Sequence, residues 1–158
     1  MIKVLFCCHG NICRSPMSEF ILKDMVTKRG IAADFHIASA ATSNEEIGNH
    51  IYPPAKAELA RHGIGISRET DYGLSQKTAR RIRRSDYADY DYLIAMESYN
   101  IRNMRYEFGN DPENKIHRLL DFTDRPGDIA DPWYTRKFDI TYEEIVKGCE
   151  AFLAYLGY

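Results

Sequence analysis

Cys8 and Arg14 stand with five residues between them, His9-Gly10-Asn11-Ile12-Cys13, and Ser15-Pro16 follow. A loop of this length can curl until its backbone N–H groups converge on one centre, and such a centre holds an anion. Gly10 and Asn11 are residue types that tolerate positive φ, which so tight a curl requires. Pro16 suits the first turn of a following helix, where a missing N–H costs nothing, and the positive end of that helix faces back toward Cys8. Loop amides, helix terminus and the Arg14 guanidinium all favour a thiolate over a thiol, so Cys8 is the candidate nucleophile. Arg14 offers a planar fork of donors that matches two phosphate oxygens at once, as a lysine does not. Ser15 adds a hydroxyl that can donate to the sulfur, either as thiolate or as leaving group. A buried cysteine beside a glycine turn is the plainer reading of such a stretch, and it suits Cys7 better than Cys8.

These groups need a strand before the loop and a helix after it. Residues 2–7 are nearly all apolar, the pattern of a strand buried on both faces and central in a parallel sheet. Met17, Phe20, Ile21 and Met25 recur at helical spacing up to Arg29, with Gly30 as the stop and Glu19 in the first turn, where a carboxylate is favoured. A second strand is predicted over 35–41, a polar loop over 42–46, and a helix from Pro53-Pro54 to His62-Gly63. Residues 67–77 read as surface loop. Arg80, Arg81, Arg83 and Arg84 fall on a predicted short helix. The third strand, 90–96, is packed by Tyr87, Tyr90 and Tyr92, and a helix over 98–108 ends at Gly109. A fourth strand covers 115–120, and a closing helix over 140–156 carries Ile145, Cys149, Phe152 and Leu153 on one face. Residues 121–134 have no periodicity, and a loop of that length in a compact domain is usually functional. Alternating strands and helices predict an α/β fold, a three-layer sandwich with a central four-stranded parallel sheet and helices on both faces. Its site belongs beyond the carboxyl ends of the strands, where the cysteine loop and the 121–134 loop meet.

With 158 residues the chain is expected to form one domain, 1–158, able to bury about 68–70% of its unfolded surface. A 44% hydrophobic and 28% charged composition is that of an ordinary globular protein, and it excludes disorder. The net charge of −2 gives no support to a general nucleic-acid or membrane-surface role. Of four cysteines, three crowd at positions 7, 8 and 13 and the last is Cys149, which is no disulfide framework and fits a reducing compartment. Residues 1–6 are too short an apolar stretch for a secretory signal and lack a small-residue cleavage site; no later segment is long enough to span a bilayer. A cytoplasmic location is expected.

The string Cys8-His9-Gly10-Asn11-Ile12-Cys13-Arg14-Ser15-Pro16, directly behind an N-terminal strand, resembles the low-molecular-weight protein tyrosine phosphatase family, and the likeness covers most of the chain. The resemblance implies hydrolysis of phosphotyrosine and small aryl phosphates through a phosphocysteine. Cys8 attacks phosphorus in line; Arg14 and the loop residues His9, Gly10, Asn11, Ile12, Cys13 and Ser15 hold the phosphate. No metal or other cofactor is implied. The phenolate leaving group has a conjugate acid of pKa about 10, so a proton donor should accompany bond breaking. The family carries an aspartate just before a proline in its late loop, and Asp131-Pro132-Trp133-Tyr134 matches, which implies Asp131 as general acid and later as base. Asp121, Asp124 and Asp128 are rivals by residue type, and none precedes a proline.

The resemblance extends to the residues that support the loop. Asn11, Glu19 and Ser39 match three members of the network that locks the family's loop asparagine; the fourth, a histidine, has no match, and Lys77 stands there after several extra residues. Trp133 and Tyr134 correspond to the aromatic pair at the pocket mouth, where stacking selects aryl phosphates. Glu45 takes the facing wall, aromatic in many members, which implies a preference for basic residues beside the phosphotyrosine. A branch acting on phosphoarginine carries threonine where this chain has Ile12, which points to phosphotyrosine. Cys13 reads equally as a packing residue or as the partner of a reversible disulfide that shields Cys8 from irreversible oxidation. The implied partners are phosphotyrosine proteins or small aryl phosphates and phosphate- or vanadate-type anions, with no nucleic acid and no membrane, for a monomer or weak dimer.

Other readings fit less well. An arsenate reductase on the same scaffold needs further cysteines downstream, and none lies between Cys13 and Cys149. A phosphocysteine carrier of a sugar-uptake system has little use for a leaving-group acid. Zinc ligation by Cys7, Cys8, His9 and Cys13 is too compact for ordinary ligand spacing, and the five histidines form no paired motif. The arginine run at 80–84 reads as a solvated helix face sooner than as a nucleic-acid module.

Overall fold

In the computed structural model, which describes residues 1–158, the apolar run at the N-terminus forms β1 (Ile2–Cys8), with Val4, Leu5, Phe6 and Cys7 fully buried. It is followed by α1 (Arg14–Lys28), β2 (Phe35–Ala41), α2 (Pro53–Arg61), α3 (Arg68–Asp71), α4 (Asp86–Asp89), β3 (Tyr92–Ala95), α5 (Ser98–Phe108), β4 (Ile116–Arg118), α6 (Pro132–Thr135) and α7 (Phe138–Tyr155). The four strands pair in the order β2-β1-β3-β4, all parallel. The register sets Cys7 beside Ala40 and Ala95, and Cys8 beside Ala41, so three strands end level with the start of the cysteine loop.

Alternation along β1 builds the layers, because successive side chains leave a strand on opposite faces. Val4, Phe6 and Cys8 join Met17, Phe20 and Ile21 of α1, Leu59 of α2 and Ile145, Cys149 and Phe152 of α7 in one core. Leu5 and Cys7 join Met104 and Phe108 of α5 in the other. The predicted three-layer sandwich is therefore present, and Cys7 and Cys8 belong to opposite faces of the sheet. No helix is long and apolar enough to cross a membrane.

Several boundaries differ from the sequence expectation. The Met17 amide donates to the Cys13 carbonyl at 3.0 Å, so α1 starts at Arg14, two residues before Pro16. Glu19 consequently lies beyond the first turn, and it is buried rather than facing the helix terminus as a solvated carboxylate. The arginine run is not helical: Ala41 donates to the Arg80 carbonyl and Ile82 to the Ala41 carbonyl, an extended bridge against the end of β2, and α4 begins only at Asp86. Arg80 is taken up by Asp86 at 3.0 and 3.1 Å. Residues 67–77 are more than surface loop, since Ser67 and Thr70 form a capping box on α3 and Leu74, in a 3₁₀ turn, is buried. Strand β4 is shorter than 115–120, because the chain turns into a 3₁₀ segment that drives Leu119 against α7. The tyrosines do pack around β3, with Tyr87 against Phe108, Tyr90 against His36 and Tyr92 against Phe152.

The contact between Leu119 and α7 depends on Gly148, where a Cβ would meet Leu119 Cγ at 2.5 Å. Gly148→Ala gains about 1 kcal/mol of helix propensity but overpacks this contact at about 1–3 kcal/mol. A net drop in urea midpoint is expected; a rise would show that the segment gives way freely.

Candidate active site

The cysteine loop connects β1 to α1, and its shape rests on Asn11, the one residue between Cys8 and Arg14 with positive φ, at 59°. Gly10 does not use the left-handed region. A Cβ there would come within 3.3 Å of Glu46 Cγ, so a larger residue would need that side chain to give by a few tenths of an ångström. The curl brings two amides to Cys8 Sγ, Asn11 N–H at 3.3 Å and Ser15 N–H at 3.4 Å, with Ser15 Oγ at 3.0 Å. Ser15 Oγ accepts from Asn11 Nδ2 at 2.7 Å, which leaves the serine proton free to point at the sulfur. Three donors therefore surround a sulfur that is 3% exposed, an environment built for an anion. Cys7 and Cys13 are different. Burial first, and then the charge of Cys8, push both thiols upward, so neither competes as a nucleophile at neutral pH.

The Asn11 side chain is fixed from three sides. Its Nδ2 also donates to Ser39 Oγ at 2.9 Å, and its Oδ1 accepts from Arg80 N–H at 3.3 Å. Ser39 passes its own proton to Glu19 Oε1 at 2.6 Å, and Lys23 donates to Glu19 Oε2 at 2.6 Å. Lys77 closes the network: its Nζ donates to the Ser39 carbonyl at 2.8 Å and lies 3.6 Å from Glu19 Oε1. Lys77, which the resemblance sets where the family has a histidine, is thus a member of this network. Burial draws its pKa below the ordinary lysine range, with Glu19 pulling the other way.

Arg14 is only 2% exposed, and one of its terminal nitrogens is committed twice. Nη1 donates to Glu97 Oε2 at 2.9 Å and to the Ile129 carbonyl at 2.8 Å, while Nη2 lies 3.5 Å from Asp131 Oδ2. Burial works against the guanidinium charge, but the negative charges of Cys8, Glu97 and Asp131 outweigh it and raise the Arg14 pKa. Glu97 was not among the residues expected here. It follows β3 directly and heads α5, where it shares a capping box with Asn100. An acidic residue at the carboxyl end of a strand was the available signal.

Asp131 is the N-cap of α6, with Pro132 next as helices prefer. Its Oδ1 accepts from Trp133 N–H at 3.0 Å, so the other oxygen is the one turned to Arg14. The three rival aspartates lie elsewhere. Asp121 and Asp128 bind Arg118 at 2.9 and 2.8 Å, and Asp124 lines a separate surface hollow. Burial raises the Asp128 carboxyl, but bonds from Ser98 and Arg118 overcome it and hold the group below the usual range, an anion rather than a proton donor.

One pocket is lined by Cys8, His9, Gly10, Ile12, Cys13 and Arg14 together with Glu45, Glu46, Asp131, Trp133 and Tyr134. Asn11 and Ser15 are not on its wall; both are buried, and their side chains serve the sulfur and the network. Glu46 is on the wall and was not foreseen, and it accepts from Asn49 Nδ2 at 2.6 Å. Glu45 faces the pocket with His9 Nε2 2.9 Å from its Oε2, and the His9 ring lies 6.3 Å from that of Tyr99. Trp133 and Tyr134 are exposed, at 44% and 81%, as residues waiting at a pocket mouth are. The whole can seat a tetrahedral oxyanion over a nucleophilic sulfur with a carboxyl group beside it, which is the equipment of a cysteine-based phosphate hydrolase.

Residues 3–157 match the family model described as low molecular weight phosphotyrosine protein phosphatase. The chain is 38% identical over 156 residues to the low molecular weight protein-tyrosine-phosphatase YfkJ of Bacillus subtilis, covering 98% of this chain and 95% of that protein. The crystal structure of YfkJ superposes with a TM-score of 0.89, over 99% of this chain and 95% of that one. The human low molecular weight phosphotyrosine protein phosphatase is 35% identical over 155 residues, 95% of this chain and 92% of that protein. The crystal structure of a Drosophila arginine phosphatase gives a TM-score of 0.84 at 31% identity, with 99% of each chain covered. The chain belongs to the low molecular weight protein tyrosine phosphatase family.

The role of Lys77 can be measured. Lys77→Met leaves the Ser39 carbonyl without its donor and strips one cation from Glu19, so a loss of about 1–3 kcal/mol in denaturant unfolding is expected. No loss would mean that Lys23 alone balances Glu19.

Proposed function

We propose that the chain hydrolyses phosphotyrosine in proteins, and small aryl phosphates, through a phosphocysteine at Cys8. The observation that carries this reading is the gathering of two amides and a hydroxyl on a buried sulfur that opens onto a pocket shared with Arg14 and Asp131. In the first step Cys8 Sγ forms a bond to phosphorus as the bond to the phenolic oxygen breaks, and Asp131 gives that oxygen its proton. Arg14 and the loop amides carry the charge on the non-bridging oxygens. In the second step water attacks phosphorus, Asp131 takes the water's proton, and the sulfur leaves as a thiolate stabilised by Ser15 and the two amides.

The pocket wall supports an aryl substrate with basic neighbours. Trp133 and Tyr134 offer ring faces, while Glu45 and Glu46 place negative charge opposite. Ile12 sets an apolar side chain on the wall, which favours phosphotyrosine over phosphoarginine, the substrate in the name of the Drosophila relative. We infer further that residues 1–158 act as one domain, as a monomer or weak dimer, in the cytoplasm. Four free thiols support a reducing compartment.

Cys8→Ser is expected to abolish turnover while phosphate and vanadate still bind; an active serine variant would end the reading. Asp131→Asn keeps an acceptor for the Trp133 amide but has no acidic proton, so turnover of phosphotyrosine should fall about 10²–10⁴-fold. In kcat/KM, which reports the first step alone, the fall should be distinctly smaller with an activated aryl ester, and equal losses there would remove Asp131 from proton transfer to the leaving group. Phosphotyrosine peptides with basic flanks should have higher kcat/KM than acidic ones, and Glu45→Gln should narrow the gap. Equal rates on both peptides, or faster hydrolysis of phosphoarginine, would reassign the substrate.

A further inference from the structure

The turn that carries Asp131 is anchored by buried Ile129, Pro132 and Phe138, and is held lightly over 133–137. Upstream, Ile129 is buried, its amide donating to Met96 at 2.9 Å and its carbonyl held by Arg14. Downstream, Phe138 is buried at the start of α7. From Trp133 to Lys137 every residue is exposed. The polar side-chain contacts of this turn with the rest of the chain are the 3.5 Å approach of Asp131 to Arg14 and a bond from Arg136 Nη2 to Tyr52 Oη at 3.1 Å.

The second contact is built from both directions. Arg136 stands at φ 60°, the left-handed position closing α6 where glycine is usual, and its Nη1 donates to the Trp133 carbonyl at 3.3 Å. Its guanidinium carbon lies 5.4 Å from the Tyr52 ring centre and 5.5 Å from that of Phe138, within reach of cation–π attraction. The Tyr52 ring packs on Trp133 with centroids 4.8 Å apart. Tyr52 is in turn fixed to the cysteine loop, because its amide donates to the Ile12 carbonyl at 2.8 Å. A short path therefore runs from the loop that holds the phosphate, through Tyr52 and Arg136, to the turn that holds the acid.

We propose that Arg136 and Tyr52 form a clasp that sets the distance between Asp131 and the cysteine loop, which makes both of them positioning residues for proton transfer to the leaving group. The proposal rests on the reading of Asp131 as general acid. Neither residue touches the reacting atoms; each acts by holding the Asp131–Trp133 turn down on the pocket. The planar fork matters, because it bonds Trp133 and Tyr52 at once, which an ammonium group on a flexible stem does not reproduce.

The test compares a phosphotyrosine peptide with an aryl phosphate whose leaving group departs without a proton. Arg136→Asn suits the left-handed backbone and removes the clasp, and Tyr52→Phe removes only the phenolic oxygen. Misplacement of a catalytic group by about 1 Å costs up to about 10²-fold, so Arg136→Asn should lower kcat/KM, which reports the leaving-group step alone, by about tenfold on the peptide. On the activated ester the loss should be under about threefold, with vanadate inhibition unchanged. Arg136→Lys should recover less than half of the loss, and Tyr52→Phe should change kcat/KM in the same direction and add nothing to Arg136→Asn. In an Asp131→Asn background, Arg136→Asn should have no further effect on the peptide. Equal losses on both substrates, or losses that add to Asp131→Asn, overturn the clasp while leaving the acid in place. If Asp131→Asn itself fails to discriminate between the substrates, the assignment of the acid falls and the clasp falls with it.

Discussion

A guanidinium that is 2% exposed is tolerable only where its charge and its donors are matched, since an unpaired buried charge costs several kcal/mol. Arg14 meets that demand by drawing on three separate parts of the chain. Glu97 comes from the junction of β3 and α5, the Ile129 carbonyl from the segment before the acid turn, and Asp131 from the turn itself. The residue proposed to hold the phosphate is thus also one that draws the walls of the pocket together. Its position at the first residue of α1 makes this possible, because the loop after β1 lies beside the end of the neighbouring β3, and the long Arg14 side chain reaches on to the segment that follows β4. Arg14 also lines the pocket beside Cys8, the side on which the proposed phosphate would meet it.

The sulfur depends on a different economy. Asn11 holds a left-handed backbone that a non-glycine residue adopts at some cost, and that cost is offset because its side chain makes three bonds in a fully buried setting. The bonds continue through Ser39 to Glu19, Lys23 and Lys77, so the curvature of the loop is referred to strand β2 and helix α1 together. A partly satisfied network of this kind would be worse than an apolar core. Lys77 therefore matters beyond its own bond: without it the Ser39 carbonyl would be the weak member.

What could be read from the sequence divides along physical lines. Cys8, Arg14 and Ser15 were legible because the loop that positions them is local, so residue type and spacing already contain the geometry. The strands at 2–8 and 35–41 and the helix at 98–108 were legible from apolar pattern and from Gly109 as terminator. Asp131 was legible only through the family pattern, because nothing local ties an aspartate at 131 to a cysteine at 8. Glu97 and Glu46 were missed for the same reason, as partners set by tertiary approach. At Gly10 the expected positive φ is absent and falls on Asn11 alone; what lies against Gly10 is the Glu46 side chain, a tertiary neighbour that local spacing does not reveal. The arginines at 80–84 look helical in isolation, but Ala41 offers both a donor and an acceptor at the end of β2, and the extended pairing takes precedence. Residues 67–77 mislead through their polarity, which conceals one buried leucine.

The geometry of Asp131 shows how the two halves of the site are reconciled. A carboxyl group that must exchange a proton cannot spend both oxygens on structure, and one that swings freely is seldom in place. The chain divides the work between the two atoms: Oδ1 caps α6 through the Trp133 amide, and Oδ2 is left toward Arg14 at 3.5 Å, longer than the 2.9 Å bond that Arg14 makes to Glu97. Glu97 takes the shorter bond and so carries most of the pairing, which leaves Asp131 near the guanidinium without being consumed by it. The same cap bond places Trp133 beside the pocket, so the residue that would stack on the substrate ring and the one that would protonate its oxygen are fixed by a single turn of backbone. On the proposed reading, ring recognition and proton delivery would therefore be coupled through α6, since one cap bond positions both side chains.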